Sequence, residues 1–416
     1  MAVRVYLRTF GCRANQYDSE AVAAMVTAGG GVLVEAPEDA DVAVFNSCAV
    51  TSAAESDLRQ QVRRAARRQP DLRTVVMGCA AARSPAQIGA LPTVSNVVPG
   101  ADFAAISAAI GLEPGSAASP LGAQRGTRGL LRIQDGCDEH CTFCATTLAR
   151  GANISRPVDS LVEEAVRLAE SHAEIVLTGI HIGTYGADIS STLGALLASL
   201  VCRVPAVRFR LSSVEATEVD AQLAELLCGD ACRVAPYLHA PLQSGSNAVL
   251  RRMGRHWYSA DSYADAVERL VARSAVFGLG ADVITGFPGE TDADHAATVA
   301  LVERLPFTGL HVFPYSARPG TSAERLTGAV ADSVSRARAA ELRAIAASKL
   351  ASYCDRRAGG LADVVVIGHE DGHRDGLTGD YLQVDLPHPA PPRGARLTAR
   401  LERIAGHQRL RALPLA

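Results

Sequence analysis

Lysine is all but missing: Lys349 is the only one in 416 residues, and arginine supplies the rest of the 41 basic side chains. So complete a bias reads as genomic composition and assigns no function. Long apolar runs are missing too. No stretch approaches the ~20 uncharged apolar residues of a membrane-spanning helix, so no membrane partner is expected. Met1 to Phe10 alternate and carry Arg4 and Arg8, which reads as a strand and not as a secretory leader, and a cytoplasmic protein is expected. Excess positive charge is absent as well. A net charge of −3 gives no whole-protein attraction for nucleic acid, so any RNA contact has to come from local patches.

What the chain does have is cysteine, ten in all. In a reducing compartment, metal ligation or redox chemistry is a better expectation for them than a disulfide framework. With 48% hydrophobic and 20% charged residues, the composition is globular, and the length suits two or three domains.

Over residues 1–113, short β-rich runs alternate with amphipathic stretches in the manner of a doubly wound α/β domain. Strands are expected at Val3–Phe10, Val32–Glu35, Asp41–Phe45 and Thr74–Met77, and helices near Gln16–Ala28, Ala54–Arg68 and Pro85–Ala90. Cys12, Cys48 and Cys79 each follow such a strand closely, in TFGC, FNSC and MGC. Parallel strands end at one edge, so these three can converge on one crevice.

Residues 114–130, containing the breaker-rich GSAASPLGAQRGTRG, are expected to be a linker. From 131 to 358 six strand-like runs, LLRIQDG, EIVLTGI, VRFRLSS, RVAPYLH, GADVITG and LHVFPYS, alternate with helical ones. They predict a partial TIM-type (β/α)6 barrel with functional groups at the strand ends, closed by a helix over Ser333–Ala358. Alternating runs in VVVIG, YLQVDLP and ARLTARLERI predict a small β-barrel over 359–416.

Directly after LLRIQDG, Cys137, Cys141 and Cys144 form CxxxCxxC in GCDEHCTFC. Three thiolates from one loop can hold three corners of a cubane iron–sulfur cluster and leave the fourth iron open to a small-molecule ligand. Structural zinc is the alternative, but zinc normally closes its shell with a fourth Cys or His, and His140 lies between two of the ligands. Singly, Cys12, Cys48 and Cys79 read as buried small hydrophobes, whereas three in one strand-end register favour a second cluster site. Cys202, Cys228, Cys232 and Cys354 have no cluster spacing and are expected to be ordinary buried residues, with Cys228 and Cys232 on one helix face.

CxxxCxxC after the first barrel strand resembles the radical S-adenosylmethionine superfamily. Further motifs are TFGCRANQYDSE, FNSCAVTSAAES and VMGCAA, the ARG and SRP after the cluster loop, LTGIHIGTYG, RLSSVEA, HAPLQSGSNAVLRRMGR, DVITGFPGETDADH and HVFPYSARPGTSAERL. With them, the chain resembles that superfamily's methylthiotransferases over essentially its full length. The resemblance implies a flavodoxin-like N-terminal domain, a radical S-adenosylmethionine barrel and a TRAM-like RNA-binding barrel. It also implies two [4Fe–4S] clusters. The catalytic one, on Cys137, Cys141 and Cys144, would bind and reductively cleave S-adenosylmethionine. The other, on Cys12, Cys48 and Cys79, would carry the sulfur to be inserted. Phe143 is assigned by resemblance to the adenine, Thr178 and Gly179 to the methionine moiety, and Glu215 to the cofactor pocket. Implied partners are tRNA, a flavodoxin- or ferredoxin-type reductant and a sulfur donor.

Two stretches depart from the family pattern. Ala145 to Leu148 replace a usual aliphatic residue and proline, and Ala216 stands for a customary proline after Glu215. Taken singly, Arg255 and Arg318 need be no more than solvated charge.

The family acts on isopentenyl-type adenosine in tRNA, on threonylcarbamoyl adenosine in tRNA, or on an aspartate of a ribosomal protein. Arg13 after the first cysteine, and His311 and Phe313 ahead of Tyr315, resemble the threonylcarbamoyl branch. That implies methylthio insertion at C2 of N6-threonylcarbamoyladenosine beside the anticodon. The alternatives are the other family substrates, a small molecule or peptide, and, in a different class, a non-catalytic iron–sulfur RNA-binding protein. Two basic patches read either as phosphate tracks or as solvated faces. One comprises Arg393, Arg396, Arg400, Arg403, Arg409 and Arg411; the other comprises Arg59, Arg63 and Arg67, with Arg64 and Arg68, on a predicted helix.

Overall fold

The computed structural model describes residues 2–49, 51–112, 124–229, 232–370, 373–389, 391–404 and 409–415. The expected linker therefore lies, at 114–123, outside the described residues. The N-terminal unit is a five-stranded parallel sheet. Its strands are β1 (Arg4–Thr9), β2 (Val32–Val34), β3 (Val42–Ser47), β4 (Arg73–Gly78) and β5 (Val94–Pro99), in the order β2-β1-β3-β4-β5. Helices α1 (Arg13–Ala28), α2 (Ser52–Arg68), α3 (Cys79–Arg83), α4 (Pro85–Gly89) and α5 (Phe103–Ile110) pack around it. Two apolar clusters separate its layers, one around Phe45 and Val62, the other around Val26 and Val44. Strand β3 is buried from end to end, as a central parallel strand covered on both faces must be. Three elements go beyond the sequence expectation: β5, α5 and the short α3.

The middle of the chain forms the expected run of six parallel barrel strands. β6 (Gly129–Arg132) is followed by the small hairpin β7 (Gln134–Asp135) with β8 (Ile154–Ser155), then by β9 (Glu174–Thr178) and β10 (Arg208–Leu211). β11 (Tyr237–His239), β12 (Gly278–Thr285) and β13 (Gly309–Pro314) complete the run. The two three-stranded sheets β10-β9-β6 and β11-β12-β13 are joined by parallel bridges Phe209 to Val234 and Ser213 to His239. Leu279, Ala281 and Val283 of β12 enter the large core shared with the helices. Successive strand side chains alternate, so Asp282 points to the opposite, inner face.

Six strands do not close a barrel, and the N-terminal unit covers the gap between β6 and β13. On one side Asp18 of α1, fully buried, pairs with Arg132 of β6 at 2.6 Å. On the other, Arg83 of α3 donates to the Pro319 carbonyl at 2.6 Å, and Arg318 pairs with Glu55 of α2. Arg318 is thus an interface residue and not solvated charge.

After the helix Asp332–Arg357 the chain ends in a closed five-stranded barrel: β14 (Leu361–Glu370), β15 (His373–Thr378), β16 (Gln383–Leu386), β17 (Arg396–Arg403) and β18 (Leu410–Pro414). Sequence patterning had indicated only three of these strands. The barrel is tied to the floor of the six-stranded unit, where Arg210 of β10 donates to the carbonyls of Thr378 (2.9 Å) and Gly379 (3.0 Å). Arg208 and Arg210 share the buried carboxylate of Glu174, whose pKa their charges hold well below the usual range against the opposing effect of burial.

Candidate active site

The strand-end cysteines come from three adjacent strands, β1, β3 and β4, whose carboxyl ends share an edge. Cys48 and Cys79 are buried and Cys12 is exposed. Their closeness dictates the neighbouring backbone: Gly11 has φ +102°, and a Cβ there would fall 2.6 Å from Cys48 Cβ and 2.7 Å from its Sγ. Only glycine lets the β1 turn pass so near that thiol. Burial pushes the Cys79 thiol pKa up, opposed by Arg150, whose Nε donates to the sulfur at 3.3 Å.

Cys137, Cys141 and Cys144 lie in the loop after β7, each half-buried. Backbone bonds pin this loop: Cys137 N–H to the Gly151 carbonyl (3.0 Å), Thr142 N–H to Met253 (2.8 Å) and Ala323 N–H to Thr142 (2.8 Å). His181 Nδ1 lies 3.6 Å from Cys137 Sγ, and its Nε2 pairs with Glu218 at 2.7 Å. Arg255 donates to Cys141 Sγ at 3.4 Å and pairs with Glu215, which also accepts from the Trp257 indole. Burial pushes the Cys141 thiol up to about 12 despite Arg255, so a thiolate here calls for further positive charge, of the kind a bound metal would supply.

Two three-residue sets have ligand atoms all within 4.8 Å of one another, His239/Asp282/His311 and His181/Glu215/Glu218.

The elements that follow the two sets of cysteines are in contact. Helix α6 (Thr146–Arg150), which begins two residues after Cys144, packs against α3, which begins with Cys79. The side chain of its last residue, Arg150, is buried and touches Cys79, Asp18 (2.9 Å) and Asp135 (3.1 Å).

Of the residues assigned by resemblance, Glu215 joins the Cys141 network directly. Thr178 and Gly179 stand at the end of β9 beside Gln134, whose Oε1 accepts from the N–H groups of Ile180 (3.0 Å) and His181 (2.9 Å). Phe143 packs edge-on to Phe287 at 6.4 Å, on the side of the apolar cluster around Met253. Arg150, His181 and Trp257 were not singled out in the sequence, although ARG and LTGIHIGTYG contain the first two. Arg255 is buried and not solvated. Outside the two trios, Cys354 is buried and Cys228 half-buried, but Cys202 and Cys232 are exposed, contrary to expectation. The helix Ala221–Cys228 also stops before Cys232, because Gly229 ends it, so the two cysteines share no helix face.

The basic patches differ from each other. In the terminal barrel Arg396 pairs with Asp363, Arg403 with Asp355 and Arg409 with Asp375, while Arg400 donates to the Gly359 carbonyl and Arg393 to Thr127. Much of that charge is therefore engaged internally. Along α2, Arg63, Arg64, Arg67 and Arg68 are exposed, and Arg59, Arg63 and Arg67 line one groove. No helix among the described residues is long and apolar enough to cross a membrane.

Comparison with known proteins fits this geometry. Residues 4–100 match the uncharacterized protein family UPF0004, and residues 131–302 match the radical SAM superfamily. The threonylcarbamoyladenosine tRNA methylthiotransferase MtaB of Bacillus subtilis (strain 168) is 35% identical over 91% of this chain and 89% of its own length. Its namesake from Rickettsia prowazekii (strain Madrid E) is 30% identical over 92% and 91%. A tRNA-2-methylthio-N(6)-dimethylallyladenosine synthase of Cereibacter sphaeroides (strain ATCC 17025 / ATH 2.4.3) is 36% identical over 77% of each chain. Among solved structures, the radical S-adenosylmethionine methyltransferase TsrM from Kitasatospora setae shares the fold, with a TM-score of 0.58 at 14% identity over 78% of this chain and 77% of that one. The chain belongs to the radical S-adenosylmethionine methylthiotransferase family, in its MtaB-type branch.

Proposed function

We propose that the protein inserts a methylthio group at C2 of N6-threonylcarbamoyladenosine in tRNA, with one [4Fe–4S] cluster on Cys137, Cys141 and Cys144 and a second on Cys12, Cys48 and Cys79. The observation that carries this reading is Arg150, one buried side chain that leaves the first cysteine loop and ends on a thiol of the second set. The bound clusters and S-adenosylmethionine supply one-electron reduction, hydrogen abstraction and sulfur; the chain contributes placement and exclusion of water.

In this reading Glu215, oriented by Arg255 and Trp257, lines the S-adenosylmethionine pocket together with Phe143 and the β9 end at Thr178 and Gly179. His181 lies against the sulfur of Cys137, and Arg255 donates to that of Cys141. The units run 1–113, 131–358 and 359–416, joined by the linker at 114–130. The tRNA backbone is met by the exposed α2 arginines more than by the paired arginines of the terminal barrel. A cytoplasmic setting, a flavodoxin- or ferredoxin-type reductant and a separate sulfur donor complete the system.

The test is an anaerobic reaction of reconstituted protein with reductant, S-adenosylmethionine and two tRNAs, one carrying threonylcarbamoyladenosine and one dimethylallyladenosine. Nucleoside mass spectrometry is expected to find the methylthio product on the first. Product on the second alone transfers the protein to the activity named for its Cereibacter relative. About eight irons per chain are expected, and about four would remove the second cluster.

A further inference from the structure

Apart from the cysteines, the inner face of the barrel carries a polar group that none of the steps above uses. His239 of β11, Asp282 of β12 and His311 of β13 stand on three adjacent strands. Asp282 Oδ1 accepts from His239 Nε2 at 3.1 Å and from His311 Nδ1 at 3.2 Å. Gly280 leaves the room for this: a Cβ there would fall 2.7 Å from His239 Nδ1. The Asp282 charge is thus taken up by two imidazoles. His239 spends its other nitrogen on the Tyr237 hydroxyl at 3.3 Å, while the His311 side chain remains 65% exposed.

A cation from the N-terminal unit arrives at the same place. Arg13, next to Cys12, donates to the Tyr381 hydroxyl at 2.9 Å, and its charge acts on both His311 and Tyr237. Tyr381 in turn stacks on Tyr237, centroids 4.4 Å apart. Arg210 lies over the same rings, but Glu174 already compensates it. Along β13 the buried Val312 alternates with His311 and Phe313, so the last two share the inner face, and Phe313 remains 45% exposed. Three units of the fold therefore meet in one cluster of side chains. Its free donors are a guanidinium, an imidazole and a phenol, and an uncovered aromatic ring stands beside them.

N6-threonylcarbamoyladenosine differs from the isoprenoid-modified adenosine chiefly in carrying a free carboxylate on its N6 arm. We infer that Arg13 and His311, with the Tyr381 hydroxyl, bind that carboxylate, and that Phe313 offers its face to the adenine. Asp282 and His239 are positioning residues that fix the His311 ring. Guanidinium and imidazolium donors to a carboxylate are charge-assisted and strong in a partly enclosed site. The isoprenoid arm would leave the same donors unmatched, which disfavours it. This assignment rests on the threonylcarbamoyl reading above and names the groups that would make the choice.

The test is internal competition between two anticodon stem-loops, one with threonylcarbamoyladenosine and one with its methyl ester, for the reconstituted full-length protein. The ratio of kcat/KM for acid over ester does not depend on how much of a variant is active, so poor folding does not mimic the effect. Wild type is expected to favour the acid by about 10- to 100-fold. Arg13→Gln and His311→Gln should each bring the ratio near unity, mainly through KM, and Arg13→Lys should restore part of it. A wild-type ratio of one, or an unchanged ratio in both variants, overturns the subsite while leaving methylthiolation itself intact. One equivalent of Zn(II) bound by iron-free protein and lost in His239→Gln would make the trio a metal site and overturn it as well. Wild type that modifies neither stem-loop but does modify dimethylallyladenosine refutes the substrate reading and the subsite together.

Discussion

Arg150 donates through Nε to the sulfur of Cys79 at 3.3 Å, although the two residues belong to different units of the fold. The same guanidinium neutralises Asp18, which is fully buried on α1. Arg150→Ala should leave Asp18 with Arg132 alone and cost less than the ~3–5 kcal/mol of a buried charge left with no partner. It should also loosen the alignment of the two trios. Thermal unfolding checks the first effect. For the second, deoxyadenosine is expected to accumulate with little methylthio product.

The trios are predicted to separate by function. Cys141→Ala should abolish S-adenosylmethionine cleavage, whereas Cys48→Ala should keep part of it, uncoupled from sulfur insertion. Chromatographic assay of deoxyadenosine beside nucleoside mass spectrometry distinguishes the two, and normal product from both variants would end the two-cluster reading.

Gly11→Ala is expected to act through Cys48 alone. A methyl at φ +102° and 2.6 Å from Cys48 Cβ must displace that side chain. Iron content should drop by about half, to about four per chain, with the signal of the CxxxCxxC cluster preserved. Full iron loading in this variant would show that the β1 turn has more freedom than its geometry implies.

The Asp282 pair should make stability depend on pH. Burial opposes the Asp282 carboxylate, but the hydrogen bonds and charges of His239 and His311 hold its pKa well below the usual range. His311 is raised by the bond to Asp282, against burial. A depressed carboxyl stabilises above its unfolded pKa, near 3.9, and a raised imidazole stabilises below its own, near 6.5. The contribution is therefore full between about pH 4 and 6.5, fading in acid as Asp282 protonates and in base as His311 loses its proton. The difference in Tm between wild type and Asp282→Asn should peak in that window and shrink by about pH 9.

Glu174→Gln is expected to cost more than a surface substitution. It leaves Arg208 and Arg210 buried without their shared carboxylate, a loss of about 3–5 kcal/mol. Because Arg210 also holds the Thr378 and Gly379 carbonyls, the terminal barrel should become more protease-sensitive than the rest of the chain.

Much of this architecture was legible in the residues. Strand-end cysteines in TFGC, FNSC and MGC located three adjacent parallel strands, and six short runs located the barrel strands. What escaped had no local pattern to show it. VSNVVP breaks the apolar alternation with Ser95 and Asn96, and FAAISAAI is too short and alanine-rich to stand out as a helix. HRDGLT of β15 holds a single large apolar residue, and β18 alternates buried Leu410 and Ala412 with exposed Arg411 over too few positions to stand out. Arg150, Arg255 and Arg318 could not be told from solvated charge, since their acidic and thiol partners come from distant parts of the sequence. His181 sat inside a quoted motif, yet only tertiary packing brings it to Cys137.

Gly278 shows what the terminal barrel does to the space above it: a Cβ there would fall 2.2 Å from the Asp380 carbonyl oxygen, so the turn from Thr378 to Tyr381 is stoppered into the strand-start end. A base held on the inner face is therefore expected to leave on the strand-end side by which it came, so that its withdrawal is a step of the turnover distinct from the chemistry.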